Sequence, residues 1–307
     1  MKKDFLAVTD LEKKEILDIF SLASRLKKNP FLRGSALKSK NIVMLFSKPS
    51  TRTRLSFEIG INQLGGNAVY VDAVATQLGR GETIADTARV IGRYADGLVA
   101  RLFAHSSIEE IARNFSGPVV NGLTDLHHPC QALGDLFTVQ EHFGRLGGKT
   151  IAFVGNGNNN VAHSLMECSA LLGVNMTVGC PASLEPQKDI VEESMRLAEK
   201  NNSSIQIVHN PTKAVAGADV IYTDVWVSMG EEKRLGLKER IKLLQPFQLN
   251  SSLLDAAKQG ARVMHCLPAH RGEEITSEVI DSKNSIVFDQ AENRLHTQKA
   301  LLAKIFE

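Results

Sequence analysis

Asn41-Ile42-Val43-Met44-Leu45-Phe46-Ser47-Lys48-Pro49-Ser50-Thr51-Arg52-Thr53-Arg54 is the stretch on which the fold reading turns. Its first six residues form a short, almost wholly apolar run, the pattern of a strand buried on both faces of a parallel sheet. The last eight are hydroxyl-rich and basic, and they lead into a helix that starts near Thr53 and should turn Leu55, Ile59 and Leu64 inward. A helix start leaves backbone N–H groups unpaired and favours anions through its dipole. Hydroxyls and guanidinium groups at that point would converge on a bound phosphate, whereas a solvated basic loop is the plain alternative for an isolated Ser-Thr-Arg-Thr.

The flanking sequence repeats the strand–helix alternation. Upstream, Thr9-x-x-Glu12 reads as a capping box for a helix with Ile16, Leu17, Phe20, Ala23 and Leu26 on its apolar positions, ending at Asn29-Pro30. Downstream come predicted strands at 67–72, 97–102 and 118–121, with helices at 83–94, 108–115 and 132–143. The connection from Ala73 to Glu82 is polar, contains Gln77, and is either a connector or an arm reaching a site. A second alternation begins at Ile151 and has strands near 176–178, 205–208, 220–222, 263–265 and 286–288, before a terminal helix over 292–307. The expected architecture is α/β, with two doubly wound parallel-sheet, Rossmann-like domains. They are assigned as 1–135 together with the terminal helix 292–307, which crosses back to the first domain, and 136–291. Ligands should lie just beyond the carboxyl ends of the strands.

Composition excludes several classes. The 307 residues suffice for two ordinary domains, and 43% apolar with 23% charged residues is typical of globular proteins. A net charge of +2 from 36 basic and 34 acidic residues gives no nucleic-acid-coating surface. No apolar run approaches a membrane span, and the amino terminus has no signal-peptide pattern. Cys130, Cys168, Cys180 and Cys266 are widely spaced without a C-x-x-C, which fits a reducing cytoplasm and no disulfide framework.

Chemistry-bearing residues fall after the predicted strands: Arg101, then His128 and Gln131, then Asp224, then Cys266-Leu267-Pro268. Val154-Gly155-Asn156-Gly157-Asn158-Asn159-Asn160 invites a dinucleotide reading. Asn160 replaces the third glycine of G-x-G-x-x-G, however, and no acid closes the next strand to hold a ribose. The spacing of His127, His128, Cys130, His265 and Cys266 matches no zinc pattern, so no metal is assigned.

With these residues in view, the chain resembles the ornithine carbamoyltransferases of the aspartate and ornithine carbamoyltransferase superfamily over essentially its whole length. Ser50-Thr51-Arg52-Thr53-Arg54 is similar to the family's carbamoyl phosphate loop and His128-Pro129-Cys130-Gln131 to its H-P-x-Q element. Asp224-Val225-Trp226-Val227-Ser228-Met229-Gly230 and His265-Cys266-Leu267-Pro268 resemble the D-x-x-x-S-M-G and H-C-L-P elements of the ornithine branch. The resemblance implies carbamoyl phosphate and L-ornithine as substrates, citrulline and phosphate as products, and a cytoplasmic homotrimer. It calls for no metal or organic cofactor and no nucleic-acid or membrane partner. It assigns Ser50, Thr51, Arg52, Thr53, Gln77, Arg101, His128, Gln131, Cys266, Leu267 and Arg294 to carbamoyl phosphate, and Asn160, Asp224, Ser228 and Met229 to ornithine. Arg101, His128 and Cys266 are the residues implied to be catalytic. Counting back from His163-Ser164 favours Asn160 within the asparagine run, with Asn159 next. Relatives often carry Gly-Asp where this chain has Gly155-Asn156, which removes a charge beside the pocket. The competing readings are transfer to another amine, such as putrescine or a modified ornithine, and a nucleotide-binding module on the same fold.

Overall fold

The computed structural model describes residues 4–227 and 236–307. The chain divides into two compact units, Met1–Phe137 with Glu292–Glu307, and Thr138–Ala291. In the first unit the elements run α1 (Lys13–Lys28), β1 (Asn41–Phe46), α2 (Thr51–Gln63), β2 (Asn67–Asp72), α3 (Ile84–Ile91), β3 (Gly97–Arg101), α4 (His105–Asn114), β4 (Val119–Leu123) and α5 (Pro129–Phe143). The second brings β5 (Thr150–Val154), α6 (Asn160–Leu172), β6 (Asn175–Gly179), α7 (Lys188–Lys200), β7 (Ile205–Val208), α8 (Pro211–Val215) and β8 (Val220–Thr223). After these come α9 (Leu237–Leu244), α10 (Ser251–Asp255), β9 (Arg262–His265) and α11 (Ser277–Ile280), and α12 (Val287–Ile305) then runs from the second unit into the first.

Both sheets are parallel, with strand orders β2-β1-β3-β4 and β7-β6-β5-β8-β9. Strand order reverses direction at β1/β3 in one sheet and at β5/β8 in the other. Those two crevices are where open α/β sheets bind ligands. β1 is buried from Ile42 to Phe46, as its apolar run requires. Edge strand β2 is only partly covered. The packing that supports the first crevice is Val43 and Leu45 of β1 with Leu98 and Ala100 of β3, backed by Ile108 and Ile111 of α4.

Several local expectations are corrected. The α1 capping box is formed by Glu12 and Glu15, whose Oε2 accepts from Glu12 N at 2.9 Å, because Thr9 lies in a separate 3₁₀ turn, Val8–Asp10. Leu17 is exposed while Ile16, Ile19 and Phe20 are buried. In α2 the inward face is Phe57, Gly60 and Ile61, whereas Leu55 and Ile59 are exposed; at 3.6 residues per turn these two fall on a different face from Phe57 and Ile61. Leu64 is buried as expected. Helix α4 begins three residues early at His105 and α5 at Pro129, a first-turn position suited to proline's fixed φ. No strand forms at 286–288, since Val287 already opens α12 and only Ser285 bridges to Val263.

Helix α12 contacts elements of the first unit. Lys299 Nζ donates to Pro30 O at 2.9 Å and to Gln63 Oε1 at 2.6 Å, and Lys27 Nζ donates to Asn293 Oδ1 at 2.9 Å. Among the described residues, no helix is long and apolar enough to cross a membrane.

Candidate active site

At the β1/β3 crevice the loop after β1 is tied to the end of β3, Ser47 N donating to Arg101 O at 2.8 Å. Ser50 then caps α2: its Oγ accepts from Thr53 N at 3.3 Å and donates to Thr53 Oγ1 at 3.1 Å. Thr51 and Arg52 thus occupy the first turn, where amides and dipole favour an anion. Arg54 is committed elsewhere, to Glu58 Oε2 at 3.2 Å and to the face of Tyr70 at 4.0 Å. Arg101 is buried at the end of β3, beside a register shift in the pairing with β4.

His128 precedes Pro129, and its carbonyl accepts from Gln131 N and Ala132 N, so the imidazole stands at the amino terminus of α5. Burial, then the positive charges of Arg294, Arg101 and Arg52, hold it well below the ordinary imidazole value of 6.5. Residues from α2, β3, α5 and α12 therefore act on one another electrostatically, and His128 is neutral among three cations. The unfolded chain takes up this proton more readily than the folded one. Stability should be fully present above about pH 6.5 and fall as pH drops below it. Thermal melts at pH 7.5 and 5.5 should show that loss, smaller in His128→Asn; an equal loss in the variant would contradict it.

Arg294 Nη1 donates to Gln131 Oε1, and Gln131 Nε2 donates to Asp135 Oδ1 at 2.7 Å, all three side chains being buried. Cys130 is inert by comparison, its thiol pushed up to about 12 by burial and donating to Asn121 O at 3.4 Å. Gln77 is exposed at the start of a 3₁₀ turn, Gln77–Arg80.

At the second crevice the neighbouring strands β5, β8 and β9 align Phe153 with Tyr222 and Thr223 with His265. That register brings their following residues together. Asp224 is buried and accepts twice: from Asn159 Nδ2 at 3.0 Å on Oδ2 and from Cys266 Sγ at 2.9 Å on Oδ1. Asn159 Oδ1 accepts from Val161 N at 2.7 Å and Ala162 N at 3.3 Å. The asparagine therefore caps α6 with the amides a pyrophosphate would need, which argues against the dinucleotide reading. Gly155 sits at φ +133, a conformation open to glycine, and the turn passes against Trp226.

His265 is fully buried, with Nε2 facing Glu274 Oε1 at 3.0 Å and Nδ1 accepting from Leu267 N at 2.9 Å. The carboxylate thereby fixes the tautomer, and the imidazole holds Leu267 at φ 56, a left-handed conformation costing roughly 1–2 kcal/mol. Asp224, His265 and Cys266 have ligand atoms within 4.8 Å of one another. Both ring nitrogens of His265 are already engaged, so the trio offers no imidazole lone pair to a metal.

Of the residues singled out in the sequence, Ser50, Thr51, Arg52, Thr53, Arg101, His128, Gln131 and Arg294 belong to the first unit and Asp224, Cys266 and Leu267 to the second. Asn160 is partly buried at the start of α6, while its neighbour Asn159 makes the bond to Asp224. Ser228 and Met229 lie outside the described residues. Asp135, Asn159 as a partner of Asp224, and Glu274 escaped sequence reasoning. The i,i+4 spacing of Gln131 and Asp135 was the one available signal.

Two family models match the chain: the carbamoyl-P binding domain of aspartate/ornithine carbamoyltransferase over residues 3–141 and its Asp/Orn binding domain over 147–305. An ornithine carbamoyltransferase of Bacillus cereus (strain AH187) is 49% identical over 99% of this chain and 95% of its own length. The solved ornithine carbamoyltransferase from Pyrococcus furiosus superposes with a TM-score of 0.93 at 48% identity, covering 98% of this chain and 96% of that one. An acetylornithine transcarbamylase complexed with acetylcitrulline superposes at 0.89 with 32% identity, covering 99% of both chains. The chain accordingly belongs to the aspartate/ornithine carbamoyltransferase family, enzymes that transfer a carbamoyl group to an amine.

Proposed function

We propose that the protein is an ornithine carbamoyltransferase, converting carbamoyl phosphate and L-ornithine to L-citrulline and phosphate. The observation that carries the choice of amine is Asp224, a buried carboxylate gripped by Asn159 and Cys266 at the β5/β8 crevice. Such a carboxylate suits the α-ammonium group of an unmodified amino acid, which an acetylated ornithine lacks; putrescine is disfavoured by Ser228-Met229-Gly230, whose resemblance to a loop that takes an amino acid's α-groups would be wasted on a diamine without a carboxylate. Near-half identity to proteins bearing the ornithine carbamoyltransferase name supports the same choice.

On this reading Ser50, Thr51, Arg52 and Thr53 hold the phosphate, and Arg101 and His128 span phosphate and carbonyl oxygen. Arginine fits the task through its permanent charge and planar fork of donors. A neutral His128 donates a hydrogen bond to the developing oxyanion without adding a fourth charge. Gln131, Arg294, Cys266 and Leu267 attend the carbamoyl group, while Asp224, Asn160, Ser228 and Met229 hold the α-groups of ornithine. The side-chain amine, once deprotonated, attacks the carbonyl carbon: a C–N bond forms, the C–O bond to phosphate breaks, and phosphate leaves with the bonding pair. The proton shed by nitrogen goes to phosphate or solvent. Positioning and oxyanion stabilisation suffice, with no covalent enzyme intermediate. The same reading carries a cytoplasmic homotrimer in which Gln77 of a neighbouring subunit reaches the phosphate, and light scattering tests the assembly.

The deciding experiment is product formation from carbamoyl phosphate with ornithine, N-acetylornithine and putrescine at matched concentrations. Ornithine should give the highest kcat/KM. A higher value for either competitor would replace the acceptor and keep the transfer, whereas no product from any of them would refute the reading.

A further inference from the structure

Gln131 and Asp135 lie one turn apart on α5, so their side chains share a helix face. The carboxylate of Asp135 is fully buried, and the amide of Gln131 is 2% exposed. A carboxylate offers only acceptors, whereas an amide has a donating and an accepting end. The 2.7 Å bond from Gln131 Nε2 to Asp135 Oδ1 therefore holds the donating end of the amide in place. It turns Oε1 toward Arg294, whose Nη1 donates to it from α12. Gly134, between the two α5 residues, lets the arginine pass: a Cβ there would lie 3.0 Å from Arg294 Cδ. Positions 131 and 294 are thus locked in one arrangement by a residue that needs no contact with substrate.

We propose that Asp135 is a positioning residue: it fixes the orientation of the Gln131 amide and, through it, the guanidinium of Arg294, so that both present a single donor pattern to carbamoyl phosphate. The inference rests on the proposed binding roles of Gln131 and Arg294. Asparagine at position 135 keeps the shape but removes the charge and brings its own NH₂ group, while Arg294, which can only donate, still requires Oε1 of Gln131. When the asparagine presents its NH₂ to Gln131 Nε2, two donors oppose each other, the Gln131 amide is displaced and the guanidinium loses its partner. In a buried, weakly screened setting that misorientation is costly.

The test is a double-mutant cycle of Asp135→Asn and Gln131→Ala, read as kcat/KM for carbamoyl phosphate, the KM for ornithine, and melting temperature. Asp135→Asn should lower kcat/KM for carbamoyl phosphate roughly tenfold, a typical loss for a supporting residue, and leave the ornithine KM unchanged. In the Gln131→Ala background the same substitution should change kcat/KM less than about twofold, since the amide it orients is gone. An equal loss in both backgrounds, tracking a lowered melting temperature, would mean that Asp135 merely supports the fold and would overturn the proposal. So would full activity of Asp135→Asn in otherwise unsubstituted protein. Calorimetric titration with carbamoyl phosphate alone repeats the comparison without an amine. Transfer to none of the amines would sink the acceptor reading while the titration still judged Asp135, and no binding of carbamoyl phosphate to the unsubstituted protein would overturn both.

Discussion

Arg52→Ala is expected to lower kcat/KM for carbamoyl phosphate by roughly a hundredfold or more, the usual scale for removing a donor from developing charge in a preorganised site. Arg52 lies in the first turn of α2, behind the Ser50 cap, and its charge reaches His128. Alanine leaves the cap and the helix intact, so the loss should appear in turnover and carbamoyl phosphate affinity with little change in melting temperature. Arg54→Ala is the matched control. Two residues along the same helix, Arg54 pairs with Glu58 and stacks on Tyr70, and its removal should alter kcat/KM by less than a few-fold. Similar losses in both variants would show that the loop acts by net positive charge rather than by directed donors. Unchanged turnover in Arg52→Ala would remove the phosphate assignment of the loop.

Asp224→Asn should raise the KM for ornithine about tenfold to a hundredfold, as loss of a charge-assisted hydrogen bond worth ~1.5–3 kcal/mol would. The KM for carbamoyl phosphate should change less than that for ornithine, because among the residues assigned to it only Cys266 bonds to position 224. The asparagine is isosteric, but one of its two ends becomes a donor facing Asn159 Nδ2 or Cys266 Sγ, both of which donate to the carboxylate. Some rearrangement of the Asn159 cap on α6 should follow, visible as a modest fall in melting temperature. An unaltered ornithine dependence would refute the assigned role and shift attention to Asn160, the other asparagine at the start of α6.

Much of this architecture was legible in the sequence because its causes are local. Six consecutive residues at 41–46 are apolar but for the first and have the pattern of a covered strand; the hydroxyl-rich loop after them has the chemistry of a helix cap. Where reading failed, the failure was one of phase or competition. Leu55 and Ile59 are apolar and one turn apart, yet the face of α2 that packs inward is that of Phe57 and Ile61, and sequence alone offers both faces. The apolar triplet 286–288 suits a strand by composition, and α12 claims it because a helix there continues without a break into the segment packed on the first unit.

Residue types and their positions after strands were set by the sequence itself, since strand ends, caps and turns depend on a few neighbouring residues. Which side chain faces which was decided only by the tertiary structure. Arg294 meets Gln131 across a separation of 163 residues, and Asn159 meets Asp224 across 65. No local preference encodes such pairs: they exist because strand order sets β5 beside β8 and because α12 returns to α5, and burial then favours the pairing of the polar groups so brought together.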